Sequence, residues 1–145
     1  MKIVLQRVSR ASVRVDDLIV GSIDHGMLLL IGFSSSDTEE SMLPTLEKIV
    51  KLRVFSDQEG KMNKSVVDVE GSMLLISQFT LYADTKKGNR PSFIEAARPE
   101  QAIPLYEFFI TEMKKRIAKV ETGIFGADMK VDLVNDGPVT IVFET

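Results

Sequence analysis

The longest uninterrupted apolar run in the chain, residues 27–33, has seven members. It is too short to cross a bilayer, which takes about 18 apolar residues. Such a run suits a strand that is buried on both faces, although periodicity alone does not separate it from a short buried helix. A chain of 145 residues can build the core that this strand needs within one domain. No repeat or linker divides the sequence, so we predict a single domain over residues 1–145.

Strand signals dominate the rest of the sequence. Residues 12–15 and 18–23 flank Asp16 and Asp17, a two-residue polar break that suits a hairpin. Hairpin-like spacing outweighs a strict alternation of strands and helices. We therefore predict an α+β fold, a compact single domain with a largely antiparallel, barrel-like sheet and two main helices. The other strand candidates are residues 1–8, 72–82, 129–133 and 139–143.

Two segments have the periodicity of helices. The spacing of Asp37 and Glu40 predicts a capping box at the start of the first helix. Pro44 lies inside the apolar pattern of this helix, so the helix either starts late, near Leu43, or is kinked. The second helix is predicted over residues 99–120, with a proline in its first turn and a bend at the next proline.

The residue inventory excludes several kinds of chemistry. No cysteine is present, which excludes disulfides, thiol nucleophiles, iron–sulfur clusters and cysteine zinc sites. The only histidine, His25, lies between two strand candidates, where we expect an exposed turn residue. Neither a calcium loop nor a phosphate-binding glycine loop occurs, so we predict no metal and no cofactor.

The formal net charge of −3 leaves no general basic coat for nucleic acid. Any contact with RNA must therefore use a local patch. One candidate patch consists of Lys86, Lys87 and Arg90, and a second consists of the cations at residues 114–119. Each is equally well a solvated charge run. We find no signal peptide and expect a cytoplasmic protein with neither a membrane nor a DNA partner.

Two segments combine residue types in an unusual way. Ser77, Gln78, Phe79 and Thr80 follow a strongly apolar stretch. They either face water where a strand leaves the core or line a pocket at the end of that strand. The second segment, residues 135–140, reads Asn-Asp-Gly-Pro-Val-Thr. A Gly-Pro pair between strands is usually a turn, but an X-Pro bond is also where cis peptides occur.

Together these two segments resemble the paired signature of the D-aminoacyl-tRNA deacylase family. The similarity extends in order over further segments and covers nearly the entire chain. These segments are residues 5–8 (Leu-Gln-Arg-Val), 11–13 (Ala-Ser-Val), 55–57 (Phe-Ser-Asp), 60–63 (Gly-Lys-Met-Asn), 90–93 (Arg-Pro-Ser-Phe) and 127–129 (Ala-Asp-Met).

The resemblance implies a homodimer with its active site at the subunit interface. It also implies hydrolysis of the ester that joins a D-amino acid, or glycine mischarged on alanine tRNA, to the 3′ end of tRNA. Residues 77–80 match the lining of the family's pocket, and Met129 falls near it. Gly137 and Pro138 match a cis pair that enters the partner subunit's pocket and excludes L-amino acids. Arg7 matches a residue close to that pair.

The chain supplies little strong side-chain catalysis. We therefore expect the reaction to use substrate orientation, the neighbouring 2′-hydroxyl of the terminal ribose and backbone N–H donors to the oxyanion. The amides of Phe79 and Thr80 are the candidate donors, whereas Thr80 as a nucleophile has no base evident in the sequence. Two alternatives stay open. They are a non-catalytic dimeric ligand-binding module and a hydrolase of another ester or amide.

Overall fold

The computed structural model describes residues 1–145. Eight strands, two α-helices and one short 3₁₀-helix make up the fold. In chain order they are β1 (Lys2–Val15), β2 (Leu18–Ile23), β3 (Gly26–Gly32), α1 (Glu39–Lys51), β4 (Phe55–Ser56), β5 (Met62–Lys64), β6 (Ser72–Ser77), the 3₁₀-helix (Phe79–Tyr82), α2 (Pro99–Lys114), β7 (Val120–Thr122) and β8 (Lys130–Glu144).

The central strand of the main sheet is β1. One of its edges pairs with β3 and then with β2, and its other edge pairs with β8 along nearly the whole strand. These pairs are antiparallel, whereas the β3–β6 and β6–β7 pairs are parallel. The sheet is thus mixed but largely antiparallel, and it forms a nearly closed barrel. The predicted α+β class with two helices is confirmed.

The apolar run over residues 27–33 forms β3, a strand buried on both faces as predicted. Met27 and Leu29 belong to the main core between the sheet and the two helices, and Leu28 belongs to a second, smaller cluster. β1 also contributes to both. Its early residue Leu5 lies in the main core, and Val13 near its far end lies in the smaller cluster.

The first helix begins with a different cap from the predicted one. Thr38 is the N-cap: its hydroxyl accepts the Ser41 N–H at 3.2 Å, and the Ser41 hydroxyl oxygen accepts the Thr38 N–H at 3.0 Å. Asp37 instead accepts from the buried terminal ammonium of Met1 at 2.7 Å. The predicted box of Asp37 and Glu40 is wrong because a partner distant in sequence takes the Asp37 carboxylate.

Both helix lengths differ from the sequence prediction. α1 starts at Glu39 and runs through Pro44, so the predicted late start is wrong. α2 ends at Lys114 rather than at residue 120. The apolar pattern continues beyond that end because Ile117 is buried in the following turn and Val120 begins β7. The same residues thus remain apolar to serve a turn and a strand.

Neither helix combines the length and the apolar composition needed to cross a bilayer.

Candidate active site

A cavity of about 250 Å³ opens where the carboxyl ends of β3 and β6 lie side by side. Its lining is mostly apolar, with Ser77 and Gln78 as the polar exceptions. Loop residues before β8 and the start of α2 form the opposite wall. The lining residues are Ile31, Gly32, Phe33, Ile76, Ser77, Gln78, Phe79, Ala97, Ala102, Phe125, Gly126, Ala127, Met129 and Val131.

The wall over residues 77–80 is formed by a change from strand to helix. The Gln78 N–H donates to the Ile31 carbonyl at 2.7 Å. The chain then turns into the 3₁₀-helix, so the predicted strand over residues 72–82 is wrong beyond Ser77. The amides of Phe79 and Thr80 open this helix, where N–H groups have no acceptor within the helix itself. They are therefore available at the edge of the cavity.

Thr80 lies beside the cavity and is not part of its lining. The Thr80 side chain is exposed, and its hydroxyl oxygen accepts a hydrogen bond from the side-chain amide of Gln78. An amide donor cannot remove the proton of a hydroxyl group. The structure thus gives Thr80 no carboxylate or imidazole that would activate it as a nucleophile.

Two glycines allow the cavity walls to approach each other closely. A Cβ at Gly32 would lie 2.8 Å from the backbone oxygen of Gln78, and a Cβ at Gly123 would lie 2.5 Å from the sulfur of Met129. Contacts this short require the neighbouring atoms to move. Gly32 therefore lets the start of the 3₁₀-helix pack on β3, and Gly123 lets Met129 reach the cavity.

A buried tyrosine supports the cavity from the side of the core. The Tyr106 hydroxyl donates to the Leu75 carbonyl at 2.8 Å, and its ring lies 6.0 Å from that of Phe125, which lines the cavity. Burial raises the pKa of the Tyr106 hydroxyl, so this group remains a protonated donor at neutral pH. Tyr106 therefore joins α2 to β6 immediately behind the cavity.

The Gly-Pro pair lies on a bulge of β8 and not in this cavity. Gln6 of β1 pairs with Thr140 of β8, and Val8 pairs with Asn135. Between these two pairs β1 advances by two residues and β8 by five, so the extra residues of β8 form the bulge. The bulge replaces the predicted break, so β8 is one long strand. Its Gly137–Pro138 peptide bond is cis.

Two side chains hold the bulge. Arg7 donates through Nε to the Asp136 carbonyl at 2.7 Å and through Nη1 to the Val54 carbonyl at 2.6 Å. Asn135 accepts the Val139 N–H at 2.7 Å. Arg7 thus ties the bulge of β8 to the chain segment that follows α1. A separate recess of about 240 Å³ beside Arg7 contains the exposed His25.

The two halves of the anticipated site lie at opposite ends of β3. Arg7 pairs with Met27 near the start of β3, and Ser77 pairs with Ile31 near its end. Four residues of a strand span about 13 Å. Within one chain the structure therefore brings together Ser77, Gln78, Phe79 and Met129, with Thr80 beside them, and leaves Arg7, Gly137 and Pro138 elsewhere.

The two cationic clusters differ. Lys86, Lys87 and Arg90 are exposed, and none of them forms an ion pair. In the second cluster, Lys115 and Arg116 are both paired with Glu112. The first cluster is therefore the freer one for an external anion.

Sequence reasoning did not single out several parts of the cavity wall. Gly32, Phe125 and Gly126 have no polar side chain that would mark them as functional. Gly126 has a φ of 75°, a conformation that favours glycine. The cluster of small and aromatic residues around this glycine is the one local signal that a close-packed loop lies there.

Comparison with known proteins adds the identity of the fold. The family model for D-Tyr-tRNA(Tyr) deacylase matches residues 4–144. A solved structure described as "c-Myc DNA Unwinding Element Binding Protein" is 43% identical, with 100% of this chain and 99% of that chain covered and a TM-score of 0.94. Another, a probable eukaryotic D-amino acid tRNA deacylase, is 18% identical, with 98% and 97% covered and a TM-score of 0.85, a likeness of fold. With the family model matched over nearly its whole length, the chain belongs to the D-Tyr-tRNA(Tyr) deacylase family and is a hydrolase that acts on the ester bond of aminoacyl-tRNA.

Proposed function

We propose that one domain, residues 1–145, forms a homodimer that removes D-amino acids from tRNA, and glycine from alanine tRNA, while leaving L-aminoacyl-tRNA intact. The observation that carries the proposal is the separation of the cavity from the Gly-Pro pair within one chain. About 13 Å of β3 lies between Ser77 and Arg7, the residue that holds the bulge. In this proposal the Gly-Pro pair that reaches the cavity belongs to a second subunit, so the complete site takes two chains.

The exposed edge of β8 supports a dimer. β8 pairs only with β1, so its other edge offers unpaired backbone groups. None of its side chains is fully buried, and Val134 and Val142 are 39% and 62% exposed. An edge strand with unpaired backbone groups is a template for pairing with another chain. The isologous contact of two such faces would cover this surface.

The size of the cavity supports an aminoacyl group as its occupant. Its volume of about 250 Å³ lies below the range of roughly 300–1,000 Å³ that is usual for drug-sized ligands. An aminoacyl group would therefore fill it and leave the nucleotide outside. The cavity also supports glycine as a substrate, because a small substituent meets no wall.

In this proposal backbone atoms of the Gly-Pro pair distinguish D- from L-aminoacyl groups. The α-amino group, the carbonyl carbon and Cα define three points, and the carbonyl of Gly137 from the partner subunit accepts a hydrogen bond from the amino group. An L-substituent would then collide with the Gly-Pro pair, whereas a D-substituent would point away from it. Exclusion by backbone tolerates many D side chains, so broad specificity is expected.

The chemistry rests on positioning. Water attacks the carbonyl carbon, the bond to the ribose 3′ oxygen breaks, and that oxygen leaves with a proton. The 2′-hydroxyl of the same ribose is within reach of this proton transfer. The amides of Phe79 and Thr80 donate to the oxyanion that forms, which is the largest contribution that this site can make. Gln78 donates a hydrogen bond to the Thr80 hydroxyl, so Thr80 stands beside the site without attacking.

Two further proposals concern the surroundings of the reaction. We propose that Lys86, Lys87 and Arg90 contact RNA phosphates, with the salt dependence of such contacts. Because aminoacyl-tRNA is the substrate, we also propose that the protein works in the cytoplasm.

One comparison favours a second candidate function. The relative that is 43% identical is described as a DNA-binding protein. The net charge of −3 argues against general DNA binding by this chain. Titration with duplex DNA at physiological salt tests this candidate, and we expect weaker binding than to tRNA.

The deciding experiment compares the hydrolysis of D-tyrosyl-tRNA, L-tyrosyl-tRNA and alanine tRNA mischarged with glycine, with a metal chelator present throughout. We expect rapid loss of the D-tyrosyl and glycyl esters and survival of the L ester, from a protein that light scattering identifies as a dimer. Hydrolysis of both tyrosyl enantiomers at equal rates would refute the backbone filter. Hydrolysis by a monomer would refute the shared site, and no hydrolysis by a folded dimer would favour the binding module.

A further inference from the structure

Two opposite charges line the recess beside Arg7 without pairing with each other. The recess has a volume of about 240 Å³ and shares no residue with the lining of the cavity. No ion pair joins Arg7 to Asp136, and neither residue forms an ion pair with any other group. A concave site with a few convergent polar groups is the usual form of a small-molecule site. The lining residues are Arg7, His25, Phe55, Ser56, Val69 and Asp136.

The guanidinium group of Arg7 has one nitrogen left for a ligand. Nε donates to the Asp136 carbonyl at 2.7 Å, and Nη1 donates to the Val54 carbonyl at 2.6 Å. Nη2 has no hydrogen-bond partner in the protein. The two existing bonds fix the orientation of the guanidinium group. A carboxylate that arrives at Nη2 therefore meets a charged donor whose conformational freedom is already restricted, and little entropy is lost on binding.

The side chain of Asp136 supplies the opposite charge. Its backbone carbonyl accepts from Arg7, but its carboxylate is exposed and accepts no hydrogen bond from the protein. This carboxylate is therefore free to accept from an ammonium group. The hydroxyl group of Ser56 and the imidazole of His25 also lack hydrogen-bond partners within the protein, so they add polar groups to the same recess.

The rest of the lining is apolar. Phe55 is almost fully buried, and its ring meets that of His25 edge-to-face, with 5.0 Å between the ring centroids. Val69 is half-buried and lines the recess as well. An aliphatic side chain that contacts these residues gains free energy by leaving water. The recess thus combines a cation, an anion and an apolar surface.

We propose that the recess binds a free α-amino acid as a zwitterion. Its carboxylate lies on Nη2 of Arg7, its ammonium group on the Asp136 carboxylate, and its side chain against Phe55 and Val69. A volume below the roughly 300–1,000 Å³ of sites for drug-sized ligands suits a molecule this small. A hydrolase of aminoacyl-tRNA esters releases a free amino acid at every turnover, so its own reaction supplies this class of ligand.

A binding measurement tests this inference without requiring catalysis. The probe is L-leucine, titrated into the ¹⁵N-labelled full chain and followed through the chemical shifts of the backbone amides of Ser56, Val69 and Asp136. We expect these shifts to saturate with a Kd on the order of 1–10 mM, as for a ligand of about nine non-hydrogen atoms. The amides of Gln78 and Gly126, which line the cavity, should not shift.

Ligands that carry only one of the two charges test the zwitterion. The compound 4-methylpentanoate keeps the carboxylate and the side chain of leucine but lacks the ammonium group, and leucinamide keeps the ammonium group but lacks the carboxylate. Each should bind at least about tenfold more weakly than leucine, because one charged hydrogen-bonding group of the recess is left without its partner. Inorganic phosphate, a simple anion, should also bind more weakly.

Three variants assign the contacts. Asp136→Asn keeps the shape of the side chain but removes its charge, so it should weaken leucine binding about tenfold and leave the binding of 4-methylpentanoate unchanged. Asp17→Asn is the matched control and should retain leucine binding, because Asp17 is exposed in a turn outside the recess, with a φ of 63° that asparagine also adopts. Val69→Ala should weaken leucine about threefold relative to glycine.

Three results would overturn the inference: no shift of the recess amides at about 50 mM leucine, equal affinity for leucine and either single-charge compound, or tighter binding of phosphate than of leucine. Unchanged leucine binding in Asp136→Asn would also contradict it, and the single-charge compounds give a second reading on the wild-type protein should this variant fold poorly. A protein that bound leucine in the recess but left D-tyrosyl-tRNA intact would refute the proposed function and leave this inference standing.

Discussion

Gly32→Ala, which adds one methyl group behind the proposed oxyanion donors, tests whether the position of these donors sets the rate of hydrolysis. In Gly32→Ala the new Cβ would lie 2.8 Å from the Gln78 carbonyl oxygen and 3.2 Å from the Leu81 Cβ. Ordinary contact begins at 3.4 Å, so the Gln78 carbonyl must retreat by about half an ångström. The Phe79 amide is bonded to that carbonyl carbon and must move with it.

The expected cost follows from this displacement. Misplacing a catalytic group by 1 Å costs about 100-fold in rate, so a shift of half that size should lower kcat about tenfold. Overpacking should also lower the free energy of unfolding by about 1–3 kcal/mol. Both quantities are accessible: kcat from the hydrolysis of D-tyrosyl-tRNA, and the free energy of unfolding from urea titration.

A glycine far from the cavity gives a control of equal stability cost. Gly60 has a φ of 78° and no neighbour within 4 Å of an added Cβ. Gly60→Ala should cost about 1–2 kcal/mol through backbone strain alone and leave kcat unchanged. Should Gly32→Ala keep the wild-type kcat, the position of these amides does not set the rate. Should both variants lose kcat together, loss of stability explains the effect.

Two other predictions address the bulge and the junction of the helices. Gly137 has a φ of 146°, and a Cβ there would lie 2.9 Å from a backbone nitrogen. Gly137→Ala should therefore displace the Gly-Pro pair and raise the rate of hydrolysis of L-tyrosyl-tRNA relative to D-tyrosyl-tRNA by a factor on the order of 10. An unchanged ratio of the two rates in a folded dimer would count against the exclusion of L-amino acids by this pair. Hydrogen bonds from Lys115 and Arg116 lower the pKa of Glu112, so this carboxylate stabilises the fold above about pH 4.5 and ceases to do so as the pH falls through its lowered pKa. The difference in urea midpoint between the wild-type protein and Glu112→Gln should accordingly narrow between pH 7 and pH 3, and a constant difference would contradict this reasoning.

The local sequence pattern was sufficient to predict elements that do not depend on one particular distant residue. The apolar run that became β3 needed only to be buried, and any neighbouring strand could bury it. His25 was expected in an exposed turn, and it is exposed in the bend between β2 and β3. The second helix was located correctly at Pro99 because a proline in the first turn needs no distant partner.

Local pattern failed where a distant residue decides the outcome. Asp37 has the sequence context of a helix cap, but the ammonium of Met1 competes for its carboxylate at 2.7 Å. β6 ends at Ser77, where the next backbone N–H, that of Gln78, donates to the Ile31 carbonyl of β3. Neither competitor is visible within a window of ten residues. Residues 77–80 were predicted as a site from their unusual residue types and from the family resemblance, not from periodicity.

The residues in and around the cavity could not be predicted from local sequence, because their roles depend on contacts with residues distant in the chain. Phe93 and Phe79 meet although fourteen positions separate them, and the intervening loop has no apolar periodicity. Gly32 lies at the end of a strand whose other residues are core, and only the 2.8 Å approach of a distant carbonyl gives it a role. Three-dimensional contact assigns such residues, since their own side chains carry no chemistry.

The pairing of β1 with β8 has a consequence for how the protein matures on the ribosome. Lys2 pairs with Glu144, and the partners along these two strands are separated by nearly the whole length of the chain. During synthesis β1 emerges first, and one of its edges stays open until β8 has left the exit tunnel. Contacts of such long range form slowly. The nascent chain therefore carries an exposed strand edge while the residues between β1 and β8 are made, and it is most open to misassociation or chaperone capture in that interval.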